Sequence, residues 1–199
     1  PQATVTGPTE ARGEVPQFGA WYLRVEPRAP LTAAFRGLPT TPLISVPAYS
    51  GDFCWWGNTG DSIDATLTRS LDLRGTSTAT LRFQSWYEIE DGWDYGYVAI
   101  STDGGRRWEA LAASRTDTRD PVGSALGPGF TGESGEWVAS VADLTRFTGR
   151  EVLLRFEYVT DESLHGSGWC VDDIEVPEIG FSDDAETMDA GWTSQGFFR

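Results

Sequence analysis

Residues 81–108 limit the possible folds of this chain more than any other part of the sequence. Apolar and polar residues alternate over 81–90, which is typical of a strand with one buried and one solvated face. An Asp-Gly pair at 91–92 favours a tight turn, and residues 95–101 predict a second strand. Because an Asp-Gly-Gly turn follows at 103–105, the whole segment predicts an antiparallel meander.

The other segments also predict short strands, and none of ten or more residues has convincing helical periodicity. Residues 151–160 are the strongest strand prediction, and their two apolar faces place them at the centre of a sheet. Residues 66–73 predict another strand, in which Arg69 interrupts the apolar face. We expect Arg69 to reach a carboxylate at the sheet edge, or the strand to bulge there.

This pattern predicts an all-β fold in which two antiparallel sheets form a sandwich. Residues 1–14 are expected to be an extended lead-in, and residues 15–180 to form the sandwich domain. Residues 181–199 are expected to supply a terminal strand that either completes this sandwich or begins a neighbouring one.

The net charge of the chain limits the classes of partner that it can bind. It contains 30 acidic residues and 15 basic ones, for a net charge of −15, and every basic residue is arginine. Such a surface repels nucleic acid and anionic membranes. Membrane insertion is not expected either, because no apolar run approaches the ~18 residues that a span needs. The acids are either a solvated surface or a supply of oxygen ligands for calcium.

Familiar catalytic motifs are absent from these 199 residues. The zinc-peptidase motif H-E-x-x-H needs two histidines, and His165 is the only one. No G-x-S-x-G elbow supports a serine nucleophile. A glycosidase-like pair of acids is a weak signal in a chain with so many acids. No catalytic residue is therefore assigned.

Calcium binding is the better-supported chemistry. Asp172 and Asp173 lie in a strand between Val171 and Ile174, so at least one carboxylate must face inward. A buried, unpaired carboxylate costs several kcal/mol, which a calcium ion would offset. The alternative is that it accepts backbone N–H bonds or pairs with an arginine. The candidate calcium ligands are Asp61, Asp64, Glu90, Asp91, Asp94, Asp172 and Asp173.

Three residues are candidates for binding a larger ligand. The alternation of the first strand places Trp86 on the polar face with Glu88, and Trp93 follows in the turn. Exposed tryptophans can stack on sugars or anchor a protein interface, whereas the alternative for each is core packing. Residues 101–108 match the Asp-box pattern S-x-D-x-G-x-x-W, which predicts a structural hairpin and is not evidence of glycan binding.

Cys54 and Cys170 are the only cysteines, and their spacing fits no metal cluster. They either form one internal disulfide bond in an oxidising compartment or remain as two buried thiols.

Three sequence blocks together resemble a known family. CWWGNTGDSIDATLTRSLDL, WYEIEDGWDYGYVAISTDGGRRW and GSGWCVDDIEV are similar to the region after the protease domain in the immune inhibitor A family of secreted bacterial metallopeptidases. VPQFGAWYLRV resembles a segment just before that region, and FSDDAETMDAGWTSQGFFR resembles its usual continuation. The order of the blocks also resembles the MAM domain, a jelly-roll adhesion module in which aspartates matching Asp172 and Asp173 lie near a structural cation.

The resemblance implies a secreted, calcium-stabilised, non-catalytic β-sandwich that accompanies a metallopeptidase. It would pack on the protease domain of the parent protein or bind a protein or glycan substrate. The zinc motif of the family is absent here, so its peptidase activity does not carry over. A free-standing carbohydrate- or adhesion-binding module is the alternative, suggested by Trp86, Trp93 and the acidic face.

Overall fold

The computed structural model describes residues 3–7, 10, 12–13, 20–26, 30, 32–37, 43–188 and 191–199. The chain divides into two compact units, residues 1–42 and 43–199. In the first unit, strand β1 (Ala3–Val5) pairs in parallel with β2 (Leu23–Val25). Strand β2 is the end of the VPQFGAWYLRV segment, of which residues 15–19 lie outside the described residues.

The second unit contains ten strands and two short 3₁₀ helices in its described residues. The strands are β3 (Trp55–Trp56), β4 (Asp64–Asp72), β5 (Thr80–Glu88), β6 (Tyr95–Ser101), β7 (Glu109–Ala110), β8 (Val138–Asp143), β9 (Glu151–Val159), β10 (Gly168–Val176), β11 (Phe181–Asp183) and β12 (Thr193–Gln195). The 3₁₀ helices are Thr145–Phe147 and Pro177–Ile179.

These strands form two antiparallel sheets. The first sheet has the order β11-β10-β5-β8, with β3 also paired to β10, and the second has the order β12-β4-β9-β6-β7. The apolar faces of both sheets supply one core, in which Phe83 of the first sheet meets Phe156 of the second edge to face at 5.1 Å. Burial of such aromatic side chains is the main stabilising contribution. The prediction of an all-β, two-sheet antiparallel sandwich is confirmed.

Strand β9 lies at the centre of its sheet, as predicted, between β4 and β6. Every second residue along it is buried in the core. Its outer face is half-buried because the β6–β7 hairpin folds over it, and the guanidinium of Arg155 stacks 3.8 Å from the ring centroid of Trp108. In that hairpin Asp103 accepts the backbone N–H groups of Arg106 and Arg107, both at 3.0 Å.

The predicted meander over residues 81–108 is wrong in its first half, whereas its second half, the antiparallel β6–β7 hairpin, forms as predicted. Strand β5 pairs with β10 and β8, whereas β6 pairs with β9 and β7, so the two lie in different sheets. Residues 89–94 therefore cross from one sheet to the other instead of reversing within one. Alternation of apolar and polar residues identifies a strand but not the strand with which it pairs. An Asp-Gly turn can likewise occur in a connection between two sheets as well as in a hairpin.

The interruption of the apolar face at Arg69 also has a different cause from the one expected. Strand β4 pairs with β9 through its whole length without a register shift. The guanidinium of Arg69 lies 4.4 Å from the ring centroid of Phe181 and 5.8 Å from that of Trp192. Arg69 thus closes the edge of the sandwich by cation–π stacking.

The last residues of the chain contribute to both sheets. Strand β11 pairs with β10, and β12 pairs with β4. Beyond β12, Trp56 and Phe198 exchange backbone N–H···O hydrogen bonds of 2.7 and 2.8 Å. The tail is therefore hydrogen-bonded to the first strand of the sandwich.

Candidate metal centre

Three connecting segments meet at one end of the sandwich: residues 57–63 before β4, 89–94 between β5 and β6, and 160–167 between β9 and β10. Hydrogen bonds hold the first and third together. The amide of Ser62 donates to the carbonyl of Asp161 at 2.5 Å, and the hydroxyl of Thr59 donates to the carbonyl of Gly166 at 2.6 Å. These bonds fix the backbones of the first and third segments relative to each other.

Glu90, Asp94 and Asp161 form a compact group of carboxylates at this end. Each offers an oxygen atom that lies within 4.8 Å of the others. Oδ1 of Asp94 accepts the backbone N–H of Asp161 at 2.9 Å. Oδ2 of Asp94 and Oε2 of Glu90 are buried, and neither has a hydrogen-bond partner among the described residues. Such orphaned buried oxygens are rare in folded proteins and call for an explanation.

Burial raises the pKa of Asp94 to about 6, and the nearby negative charges of Asp161 and Glu90 raise it as well. The side chain of Asp94 is 0% exposed. Three carboxylates this close repel one another, and a buried charge without a partner is strongly unfavourable. A cation among them would remove both costs.

The chemistry of the group fits a hard divalent cation. All of its donors are carboxylate oxygens, which calcium and magnesium prefer, and no nitrogen or sulfur donor belongs to it. Calcium takes six to eight oxygens in flexible geometry. Three carboxylates on three separate segments can supply several of these, and backbone carbonyls and water can supply the rest.

Two of the seven predicted metal ligands, Glu90 and Asp94, are brought together in this group. Sequence reasoning missed the third member, Asp161, although a signal exists. Asp94 directly precedes β6, Asp161 lies two residues after the end of β9, and Tyr95 pairs with Val159 in the ladder. Once β6 and β9 are known to be partners, the two aspartates must lie close together.

The other candidates in these segments lie outside the group. Oδ1 of Asp61 is 2.6 Å from Nδ1 of His165, and both side chains are partly exposed. Asp91 forms a surface ion pair of 3.1 Å with Arg119. Asp64 begins β4 and is exposed.

Asp172 and Asp173 lie elsewhere on β10, where the structure provides the alternative to a cation. Asp172 is 0% exposed, and its carboxylate accepts three backbone N–H groups, from Tyr49 at 3.0 Å, Ser50 at 3.2 Å and Asp173 at 2.8 Å. Burial raises its pKa to about 6, and these N–H groups oppose that rise. Asp173 has a φ of 44° at a register shift and accepts the hydroxyl of Ser50 at 2.7 Å. The pair fastens residues 49–50 to the sheet.

The expectation that Trp86 lies on an exposed polar face is wrong, because its side chain is only 4% exposed. It belongs to a small apolar cluster on the outer face of the first sheet, which we call the outer cluster. The members of the outer cluster are Cys54, Trp56, Trp86 and Cys170, and Ile44, Val46, Ala48 and Trp137 pack against it. Residues 43–48 cover this face, although they lie far from Trp86 in sequence.

Trp93 and Glu88 do lie near the carboxylate group. Trp93 is 46% exposed in the same connecting segment as Glu90 and Asp94. Glu88 accepts a hydrogen bond from the hydroxyl of Ser167. Glu88, Glu90 and Asp91 line an open groove of about 700 Å³, together with Arg119 and His165.

No helix in the described part of the chain is long and apolar enough to cross a membrane.

Comparison with known proteins places this sandwich in a family. The family described as "Immune inhibitor A-like, MAM domain" matches residues 38–199. The pre-pro-metalloprotease PrtV of Vibrio cholerae is 33% identical over 169 residues, which are 81% of this chain and 18% of PrtV. Immune inhibitor A of Bacillus thuringiensis subsp. alesti is 31% identical over 153 residues, which are 75% of this chain and 21% of that protein.

A third relative, Bacillopeptidase F of Bacillus subtilis, is 29% identical over 123 residues, which are 61% of this chain and 8% of that protein. The chain thus spans about a fifth or less of each of these relatives. The family match covers most of the chain, including all of the second compact unit. This protein belongs to the immune inhibitor A-like MAM domain family.

Proposed function

We propose that this chain is a non-catalytic accessory β-sandwich of a larger, secreted metallopeptidase. In this role calcium bound by Glu90, Asp94 and Asp161 stabilises the sandwich. The domain packs against the protease domain of its parent protein or holds that enzyme's protein or glycan substrate. The observation that carries the proposal is the buried carboxylate group with two unpaired oxygens.

The accessory role is supported by the family and by the size of the relatives. PrtV is named a pre-pro-metalloprotease, and the matching segment is a minor part of it. The single histidine of this chain lies beside Asp61 on an exposed loop, and the 199 residues contain no H-E-x-x-H motif. A domain without the zinc ligands contributes to proteolysis through positioning rather than through bond cleavage.

Thermal unfolding of the chelator-treated chain tests the calcium site. Added CaCl₂ at a hundred times its Kd should stabilise the fold by about 2.7 kcal/mol, which raises Tm by roughly 5–10 °C in a domain of this size. Glu90→Gln and Asp161→Asn should each remove most of that increase. Glu175→Gln, on an exposed position of β10, is the matched control and should keep it.

A calcium-induced rise in Tm that is equal in Glu90→Gln, Asp161→Asn and Glu175→Gln would place the ion elsewhere. No rise in the wild-type chain would reject calcium altogether. Peptide hydrolysis by the purified chain, lost on addition of a chelator, would contradict the non-catalytic role. The reading frame that encodes the chain is also expected to encode an H-E-x-x-H domain upstream, and this domain should co-purify with the chain.

A free-standing carbohydrate- or adhesion-binding module is the second candidate. Its support is the half-exposed Trp93, which lies in the connecting segment that also contributes Glu90 and Asp91 to the groove, since an exposed indole offers a flat apolar face for a sugar ring. A glycan array tests it. A ligand bound by the wild type and lost in Trp93→Ala, with the calcium-induced Tm rise intact, favours this candidate over the first.

A further inference from the structure

We propose that Cys54 and Cys170 are a redox pair that forms a disulfide bond under oxidising conditions, fastening the start of the sandwich to β10. Both are buried thiols in the structure and belong to the outer cluster. The proposal does not depend on the calcium site, which lies in other segments, or on the accessory role.

Strand pairing brings the two cysteines to the same face of the first sheet. Cys170 lies opposite Trp56 in the ladder between β10 and β3. Cys54 precedes Trp56 by two residues, so the two side chains point to the same side and Cys54 becomes a diagonal neighbour of Cys170. The Cα atoms of diagonal neighbours are typically about 7–8 Å apart, slightly beyond the usual range for a disulfide.

Two features close that gap. Cys54 lies just before β3 and outside its ladder, so its backbone can shift without breaking a strand pair. Both cysteines belong to the same small cluster, so their side chains already pack close together. Burial, together with the neighbouring Cys54, raises the pKa of the Cys170 thiol well above its ordinary value. A shift of the backbone at Cys54 toward β10 would bring the two sulfur atoms within bonding distance.

The order of the chemistry follows from exposure. Cys54 is 8% exposed and Cys170 is 0% exposed, so Cys54 meets an external oxidant first. Its thiolate attacks a small disulfide such as oxidised glutathione, forming a mixed disulfide and releasing one glutathione thiolate. The Cys170 thiol then loses its proton to water and attacks the sulfur of Cys54, which releases the second glutathione. Two cysteine thiols are oxidised, and one glutathione disulfide is reduced to two thiols.

Residues 43–48 and Trp137 cover the outer cluster, and Cys170 holds its proton firmly. Both features slow the second attack, because the thiolate is the attacking species and needs access to the sulfur. The bond should therefore form slowly in the folded chain and resist reduction once formed. It closes a loop of roughly 100 residues, a length at which a cross-link restricts the unfolded chain substantially.

Equilibration of the chain in a buffer of oxidised and reduced glutathione tests the proposal. Denaturation, alkylation of free thiols and non-reducing peptide mapping should then recover one peptide pair joined through Cys54 and Cys170, with a mass lower by two hydrogens. Reduction should lower Tm by roughly 10 °C in the wild type and leave the Cys54→Ser/Cys170→Ser variant unchanged. Full alkylation of both cysteines after equilibration, or linkage only between two chains, overturns the proposal.

The single variants test the order of attack. Cys170→Ser should accumulate a glutathione adduct at Cys54, whereas Cys54→Ser should keep Cys170 unmodified under the same conditions. Equal adduct formation in both folded variants contradicts the assignment of Cys54 as the first thiol to react. The peptide map of the wild type remains decisive if either serine variant fails to fold.

Discussion

Oδ1 of Asp94 accepts the backbone amide of Asp161 at 2.9 Å, and this bond ties the start of β6 to the segment after β9. It satisfies one oxygen of Asp94 and leaves Oδ2 buried without a partner among the described residues. The bond also holds the Asp161 segment close to Asp94, whose pKa is raised by burial and by the negative charges of Asp161 and Glu90. The hydrogen bond that joins these two segments thus also brings together carboxylates that a cation would neutralise.

Asp94→Asn should therefore change stability in opposite directions with and without calcium. The pKa of the buried Asp94 carboxyl is raised to about 6, so this group is charged at pH 7. In chelator the variant removes that buried charge, and Tm at pH 7 should rise or stay the same. With excess calcium, it removes a ligand, and Tm should fall below that of the wild type. Thermal unfolding in the two buffers measures both effects. Identical changes in both buffers would show that Asp94 does not bind the ion.

Asp172 predicts a pH dependence of stability. Its pKa is raised to about 6 in the folded chain, above the 3.8 of an unperturbed aspartate. The folded state then binds more protons than the unfolded state between these values, so this contribution is present below pH 4 and is lost as pH rises through 6. Between pH 4 and pH 7 the wild type should lose roughly 2 kcal/mol relative to Asp172→Asn, since one pKa unit is worth 1.36 kcal/mol.

Urea unfolding of the wild type and Asp172→Asn at each pH measures this difference. Other titrating groups, Asp94 included, are common to both proteins and cancel. A difference that does not change with pH would mean that the three backbone N–H groups hold the carboxylate ionised throughout.

Trp169 is expected to be the most sensitive core position on β10. It is 0% exposed, stacks 5.3 Å from Phe130, and donates its indole N–H to the hydroxyl of Ser85 at 2.7 Å. Trp169→Ala should lower the free energy of unfolding by about 3–5 kcal/mol. Trp169→Phe should cost less, but it leaves the buried Ser85 hydroxyl without its donor. Adding Ser85→Ala to Trp169→Phe should recover part of the loss in urea unfolding.

Gly168 and Gly75 offer a matched pair of substitutions. Both have positive φ, 98° and 90°, so alanine is strained at either position. A Cβ at Gly168 would also lie 2.1 Å from the carbonyl oxygen of Asn58, whereas nothing lies within 4 Å of one at Gly75. Gly168→Ala should therefore be the more destabilising change. Because Asn58 belongs to the segment beside Asp161, Gly168→Ala should also reduce the calcium-induced rise in Tm, and Gly75→Ala should not.

Local sequence signals account for the strands and for part of the metal centre. Alternation and turn residues predict β4, β5, β6 and β9, because those signals act within a few residues. Glu90 and Asp94 could be predicted as metal ligands because they lie in one short turn, where their carboxylates must be close together. The two-sheet sandwich follows from the many strands and the lack of helical periodicity.

What could not be predicted depends on partners distant in sequence. Residues 89–94 cross between the sheets and so place β5 and β6 in different sheets. No sequence signal within the segment indicates this crossing. Trp86 occupies a polar-face position of its strand, yet residues 43–48 bury it. Asp161 becomes recognisable only when the register of β6 against β9 is known. Each of these features is set by the arrangement of strands rather than by the residues of one strand.

The backbone hydrogen bonds between Trp56 and Phe198 have a consequence for folding during synthesis. A nascent chain that emerges from the ribosome in order cannot complete the pair until nearly all of these residues have left the exit tunnel. Folds that depend on contacts so distant in sequence form slowly, in milliseconds to seconds. The edge formed by Trp56 and Phe198 is therefore expected to be among the last parts of the sandwich to form after synthesis.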